Sequence, residues 1–120
     1  MGVAVASLTR GDIVLVRLDP TKGSEQRGTR PALVVQNDVG NRNSNTTIIA
    51  PLTTSYEPGN IAPYEAEVKA STSDIKEDSV ALLNQLRTVS IEHRILNNFG
   101  SVPEETMQEV DRAIRVSLGL

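Results

Sequence analysis

The chain has 120 residues, 38% of them hydrophobic, with 12 Lys and Arg against 15 Asp and Glu for a net charge of -3. That length suits one domain with its own core and is too short for two of ordinary size. A net negative chain is not the footprint of a general nucleic-acid binder; no apolar run approaches the ~20 residues of a membrane span, and the absence of cysteine excludes disulfides and thiolate zinc sites.

Met1 to Thr9 is small and apolar without a basic lead, so it reads as a flexible arm and not as a secretory signal, and the cytoplasm is the expected compartment. Asp12 to Asp19 (DIVLVRLD) is β-branched and bounded by Gly11 and Pro20, the signature of a strand. A polar loop, Pro20 to Arg30, follows, and Pro31 holds Arg30 extended ahead of a short buried strand, Ala32 to Asn37. Asp38 to Asn45, with Gly40 and three Asn, reads as a turn or loop. Thr46 to Leu52 has strand composition, but Pro51 lacks an N–H and is expected at an edge or strand end. Tyr56 to Pro63 is a loop, Tyr64 to Lys69 alternates as a half-exposed strand, and Ser79 to Val89 reads as one long strand bent near Asn84. Ser90 fits the cap of a short helical turn through Arg94, and Phe99 to Val102 a brief strand. Pro103 fits the first position of a final helix with Glu104 and Glu105 in its opening turn, and Met107, Val110, Ile114 and Leu118 make one apolar stripe. Many short strands before a terminal helix favour a mainly β fold, a small barrel with helical additions, in a single unit spanning residues 1–120.

Residues 1–60 carry six bases and five acids, a net +1, while residues 61–120 carry six bases and ten acids, a net -4; an anion site belongs in the first half. The chain has no GxxxxGK[ST] loop, no HExxH and a single histidine, His93, so two-histidine acid–base chemistry is excluded and arginine, hydroxyl and carboxylate groups remain. The densest candidate is Gly23 to Pro31, which gathers two guanidiniums, a carboxylate, an amide and hydroxyls. It is either a solvated hairpin loop or a phosphate-binding one, with Arg30 offering a planar fork of donors from the start of a strand.

The run RGDIVLVRLDPTKGSEQRGTRPALVVQND from Arg10 to Asp38, GNR at Gly40 to Arg42, PLTTS at Pro51 to Ser55 and DSVALLNQLRTVS at Asp78 to Ser90 resemble, in order and spacing, the MazF/PemK toxin family. The resemblance implies an SH3-like barrel with a C-terminal amphipathic helix, forming a homodimer that cuts single-stranded RNA at short motifs without metal or other cofactor. It places the catalytic arginine at Arg30, before the RP proline, and the catalytic threonine at Thr53, after the PL step. Glu25 is the candidate proton acceptor, and Ser24, Gln26, Arg27, Asn37, Arg42, Ser55 and Gln85 fall on positions expected to meet RNA. Arg17 and Lys22 are further candidates for flanking phosphates. The chemistry implied is attack of a ribose 2′-hydroxyl on the adjacent phosphorus, leaving a 2′,3′-cyclic phosphate and a 5′-hydroxyl. The partner implied is a MazE-like antitoxin whose acidic, flexible tail competes with RNA for the same cations.

Two other readings stand beside this one. A CcdB-type gyrase poison shares the barrel without nuclease activity, but those proteins resemble one another in a C-terminal tryptophan, and this chain has none. A proline-rich-peptide module needs several exposed aromatic residues, and only Tyr56, Tyr64 and Phe99 are present.

Overall fold

The computed structural model describes residues 8–120. Of the arm expected over Met1 to Thr9, residues 1–7 lie outside that range, while Leu8 is buried and Thr9 donates its N–H and its hydroxyl to Asp12. The elements are β1 (Asp12–Arg17), β2 (Thr29–Val34), α1 (Asp38–Asn43), β3 (Thr46–Thr53), β4 (Glu65–Val68), β5 (Ser79–Leu82), β6 (Arg87–Ser90), α2 (Ile91–Arg94), β7 (Ile95–Ser101) and α3 (Glu104–Leu118). Every pairing is antiparallel, in the order β4-β5-β3-β2-β1-β7 with β6 also on β3. The expected barrel is therefore an open one among the described residues, its strand path running from β4 to β7 with β6 as a branch on β3.

DIVLV reads as a continuous apolar run because the sheet is buried on both faces. Ile13, Leu33, Ala50 and Leu52 point to one core, closed by Val110 and Ala113 of α3. Val14, Val16, Ala32, Val34 and Ile49 point to the other, closed by Val89, Ile91 and Ile95. Each fully buried Val, Leu or Ile contributes roughly 1.5–3 kcal/mol. At the start of β1, the Asp12 carboxylate is buried and accepts from Thr9, from Asn98 Nδ2 at 2.8 Å and from Ser101 Oγ at 2.6 Å, which pins β1 to β7. Burial pushes its pKa up, but the hydrogen bonds outweigh that and hold it below the ordinary value.

Several elements differ from expectation. The segment Asp38 to Asn45 is not a loop throughout: α1 forms because Asn37 Oδ1 caps it by accepting from Gly40 N at 2.8 Å and because Asn41 is buried in a hydrogen-bonded network. The second strand begins earlier than Ala32 and ends at Val34. Ser79 to Val89 is two strands, divided by a turn that Gln85 N closes on Leu82 O at 3.0 Å. Pro51 lies inside a central strand and not at an edge: β3 pairs with β6 through Ile49 and with β5 from Leu52, so Pro51 falls in the gap where the partner changes. The strand expected at Phe99 to Val102 begins earlier, at Ile95, and ends at Ser101. Pro103 stands just outside α3 as its cap residue. Val110 and Ala113 are buried with Met107 and Ile114 packed beside them, but Leu118 is 55% exposed, while Ser117 Oγ turns inward to Leu83 O. The helix is tied to the sheet by the Arg10–Asp111 ion pair at 2.6 Å. Among the described residues no helix is long and apolar enough to cross a membrane.

Candidate functional site

The register of β2 on β3 sets Val34 opposite Ile49, Leu33 opposite Ala50 and Ala32 opposite Pro51. The pairing ends there, and two residues further along each strand stand Arg30 and Thr53. Two groups distant in sequence thus stand side by side where the two strands end. The Arg30 guanidinium confirms the proximity, since Nη1 donates to the carbonyl of Leu52 at 3.3 Å and Nε to Arg27 O at 3.0 Å. A guanidinium has five N–H donors, so most of the fork remains open to an anion. Thr53 Oγ1 accepts from Ser55 N at 3.1 Å, which leaves the hydroxyl proton free to donate outward.

Ala32 and Ile49 point into the second core, and by alternation Pro51, Arg30 and Thr53 share that sheet face. Toward the β1–β2 loop this face opens as a cleft of about 500 Å³, with Pro51 and Leu18 in its lining, the loop residues Ser24, Glu25 and Gln26 on one wall and Asn84 to Arg87 on the other. Arg30 and Thr53 stand two residues along their strands from the Ala32–Pro51 pair, outside the lining itself. The loop is held from across the cleft: Gln85 Oε1 accepts from Gln26 N at 2.9 Å, Gln85 Nε2 lies 3.5 Å from Ser24 O, and Arg87 Nη1 donates to Leu18 O. Within the loop, Glu25 Oε1 accepts from Lys22 N and Arg27 Nη2 donates to Gly23 O at 3.3 Å.

Arg30, Thr53, Ser55, Ser24, Glu25, Gln26, Arg27 and Gln85 are thus gathered at one end of the sheet. Asn37 and Arg42 are not. They flank and belong to α1 beyond the opposite end of β2, and Asn37 spends its side-chain oxygen on the helix cap. Arg17 and Lys22 are exposed near the loop, and His93 is exposed on α2. The residue that sequence reasoning missed is Arg87. It sits two positions after Gln85 in NQLRT, and it joins the cleft because β6, which it opens, pairs with β3. Among the described residues no cluster of three or more His, Cys, Asp or Glu has the geometry to hold a metal.

On the far side of the strand ends lies a second cleft of about 650 Å³, which includes Leu15, Pro31, Thr54, Ile75 and Phe99. Beside it Tyr56 OH donates to Glu67 Oε2 at 2.8 Å, anchoring the segment after Thr53 to β4. Burial, then that carboxylate, pushes the Tyr56 phenol up to about 12.

Residues 9–118 match the family described as PemK-like, MazF-like toxin of type II toxin-antitoxin system. The chain is 40% identical over 111 residues to a Bacillus subtilis protein named Endoribonuclease EndoA, covering 92% of this chain and 94% of that one. It is 40% identical over 113 residues to Endoribonuclease MazF of Staphylococcus saprophyticus, covering 94% and 92%. Among solved structures, an endoribonuclease in complex with its cognate antitoxin from Mycobacterial species superposes with a TM-score of 0.77 at 21% identity, over 95% of this chain and 97% of that one.

Proposed function

The chain belongs to the PemK-like, MazF-like toxins of type II toxin-antitoxin systems, and from that we propose that it is an endoribonuclease which cuts single-stranded RNA, at a short sequence motif, by 2′-hydroxyl attack and without a metal. The observation that carries this reading is the bond from the Arg30 guanidinium to the carbonyl of Leu52, the residue before Thr53, with donors of both Arg30 and Thr53 left open.

In the proposed reaction the ribose 2′-oxygen forms a bond to phosphorus as the bond to the 5′-oxygen breaks, leaving a 2′,3′-cyclic phosphate and a 5′-hydroxyl. Arg30 donates to the nonbridging oxygens as negative charge grows there, and its spare N–H groups hydrogen-bond the departing 5′-oxygen, which takes its proton from solvent water. Thr53 donates to the same phosphate and keeps attacking and leaving oxygens in line. Glu25, from the loop wall, takes the 2′-hydroxyl proton. Ser24, Gln26, Arg27, Ser55 and Gln85 surround the cleft as the surface that meets the RNA.

The partners that follow are a second copy of the chain, making a homodimer, and an antitoxin with an acidic tail; the setting is the cytoplasm. What supports the acidic tail is charge: the Arg30, Arg27 and Lys22 side chains near the cleft have no carboxylate ion-pair partner among the described residues. A long unstructured RNA incubated with the purified protein in excess EDTA tests the activity. Discrete cuts with 5′-hydroxyl and 2′,3′-cyclic ends are expected, and cleavage that appears only when divalent ions are restored overturns the chemistry.

A further inference from the structure

We infer that Arg87 is a second phosphate-binding group, holding a backbone phosphate of the RNA at the end of the cleft away from Arg30; this rests on the endoribonuclease reading. Arg87 opens β6, where it is register-opposed to Ile49 on β3. Ile49, Pro51 and Thr53 recur at alternate positions on one face of β3; Arg87 stands beside the first of the three, and Arg30, from β2 on the opposite flank, reaches the far end of the strand through its bond to the Leu52 carbonyl. Pro51, between them, lines the cleft, as does Arg87 itself. The geometry is that of two guanidiniums bracketing an apolar step, with four residues of strand, about 13 Å, from Ile49 to Thr53. A strand of RNA laid along β3 meets Arg30 at the scissile phosphate and Arg87 at a phosphate about two nucleotides away, and the intervening nucleotides lie over Pro51.

The charge state of Arg87 fits this role. The side chain is half-buried, Nη1 donates to the Leu18 carbonyl, and no carboxylate forms an ion pair with it among the described residues. Residues 1–7 contain no Asp or Glu that would supply one. A cation pinned by a neutral carbonyl keeps its full charge and most of its donors for an anion, whereas Arg10 and Arg112 have theirs matched by Asp111 and Glu109. The competing explanation is that Arg87 is only a tether for the base of the β1–β2 loop, and the two roles separate by charge.

Glutamine at position 87 has an N–H to offer Leu18 O but no charge, while lysine keeps the charge. With a single-site RNA made uncleavable by a 2′-deoxy sugar at the cut, Kd is measured against salt for wild type, Arg87→Gln and Arg87→Lys. Each phosphate contact on a single strand contributes about 0.7 to the slope of log K against log salt. Arg87→Gln is expected to lower that slope by about this amount and to raise KM on the cleavable RNA about tenfold with kcat within about threefold, as for a lost charged hydrogen bond. Arg87→Lys is expected to keep the wild-type slope. If Arg87→Gln shows the wild-type slope and KM, Arg87 is a tether and the inference is wrong. If wild type itself neither binds nor cuts the RNA, it is the endoribonuclease reading that fails.

Discussion

The two ends of β2 are both rich in polar side chains and treat them in opposite ways. Beyond Val34, Asn41 is fully buried; its Oδ1 accepts from Thr47 Oγ1 at 2.7 Å and Gln36 Nε2 at 3.1 Å, and its Nδ2 donates to Gln36 O at 3.0 Å. Every bonding capacity is spent inside the protein, and the result is a fixed corner. At the Thr29 end, among the described residues, Arg30 meets two carbonyls and Thr53 one N–H, and no carboxylate pairs with the cation. Polar groups that saturate one another hold a fold together, while polar groups placed side by side and left unsaturated are ready for a ligand.

The sharpest way to break this contrast is to remove the open cation. Arg30→Ala is expected to lower kcat by about a hundredfold to a thousandfold, the usual cost of one preorganised transition-state donor, with thermal unfolding close to wild type. Thr53→Ala should cost about tenfold to a hundredfold, and Thr53→Ser should restore most of it because the donor returns. Both are read by single-turnover cleavage of one end-labelled RNA.

The saturated end should respond in the opposite currency. Asn41→Ala leaves Thr47 and Gln36 with lost partners at a buried site, and a stability loss of about 2–4 kcal/mol is expected, measured by urea unfolding, with cleavage per folded molecule unchanged. A comparable loss in kcat would dissolve the distinction between the two ends. Asp12 gives a finer test. Its pKa is lower folded than unfolded, so its contribution is complete above the ordinary carboxylate range near pH 4 and is lost as pH falls through the folded value. Asp12→Asn should therefore lower stability at neutral pH and flatten the decline below about pH 4. The smallest effect belongs to Tyr56, whose phenol should titrate near 12 by ultraviolet absorbance, a step that Tyr56→Phe removes.

The sequence was most legible where local chemistry and tertiary environment agree. β1 announced itself through β-branched residues between Gly11 and Pro20, α2 through the Ser90 cap that His93 N satisfies at 3.1 Å, and α3 through its acidic first turn and its 3.6-residue stripe. It was misleading where a long-range partner decides. The Leu83 to Leu86 turn carries neither Gly nor Pro and keeps Leu83 buried, so nothing local separates β5 from β6. The residues of α1 are poor helix formers, and only the capping Asn37 and buried Asn41 make it a helix. Pro51 looked like a strand terminator because the change of partner from β6 to β5 is invisible in sequence. Within the site, Arg30 and Thr53 were identified through family motifs, and their proximity needed the β2–β3 register; Arg87 emerged only once β6 was placed on β3.

A double-mutant cycle on Arg30 and Thr53 tests most directly whether both act on one phosphate. Single-turnover rates of wild type, Arg30→Ala, Thr53→Ala and the double variant are compared on one RNA at saturating protein. Groups that act as a unit are strongly non-additive, so the double variant should be little slower than Arg30→Ala alone. Losses that multiply in full would mean that the guanidinium and the hydroxyl serve separate tasks, contrary to this account.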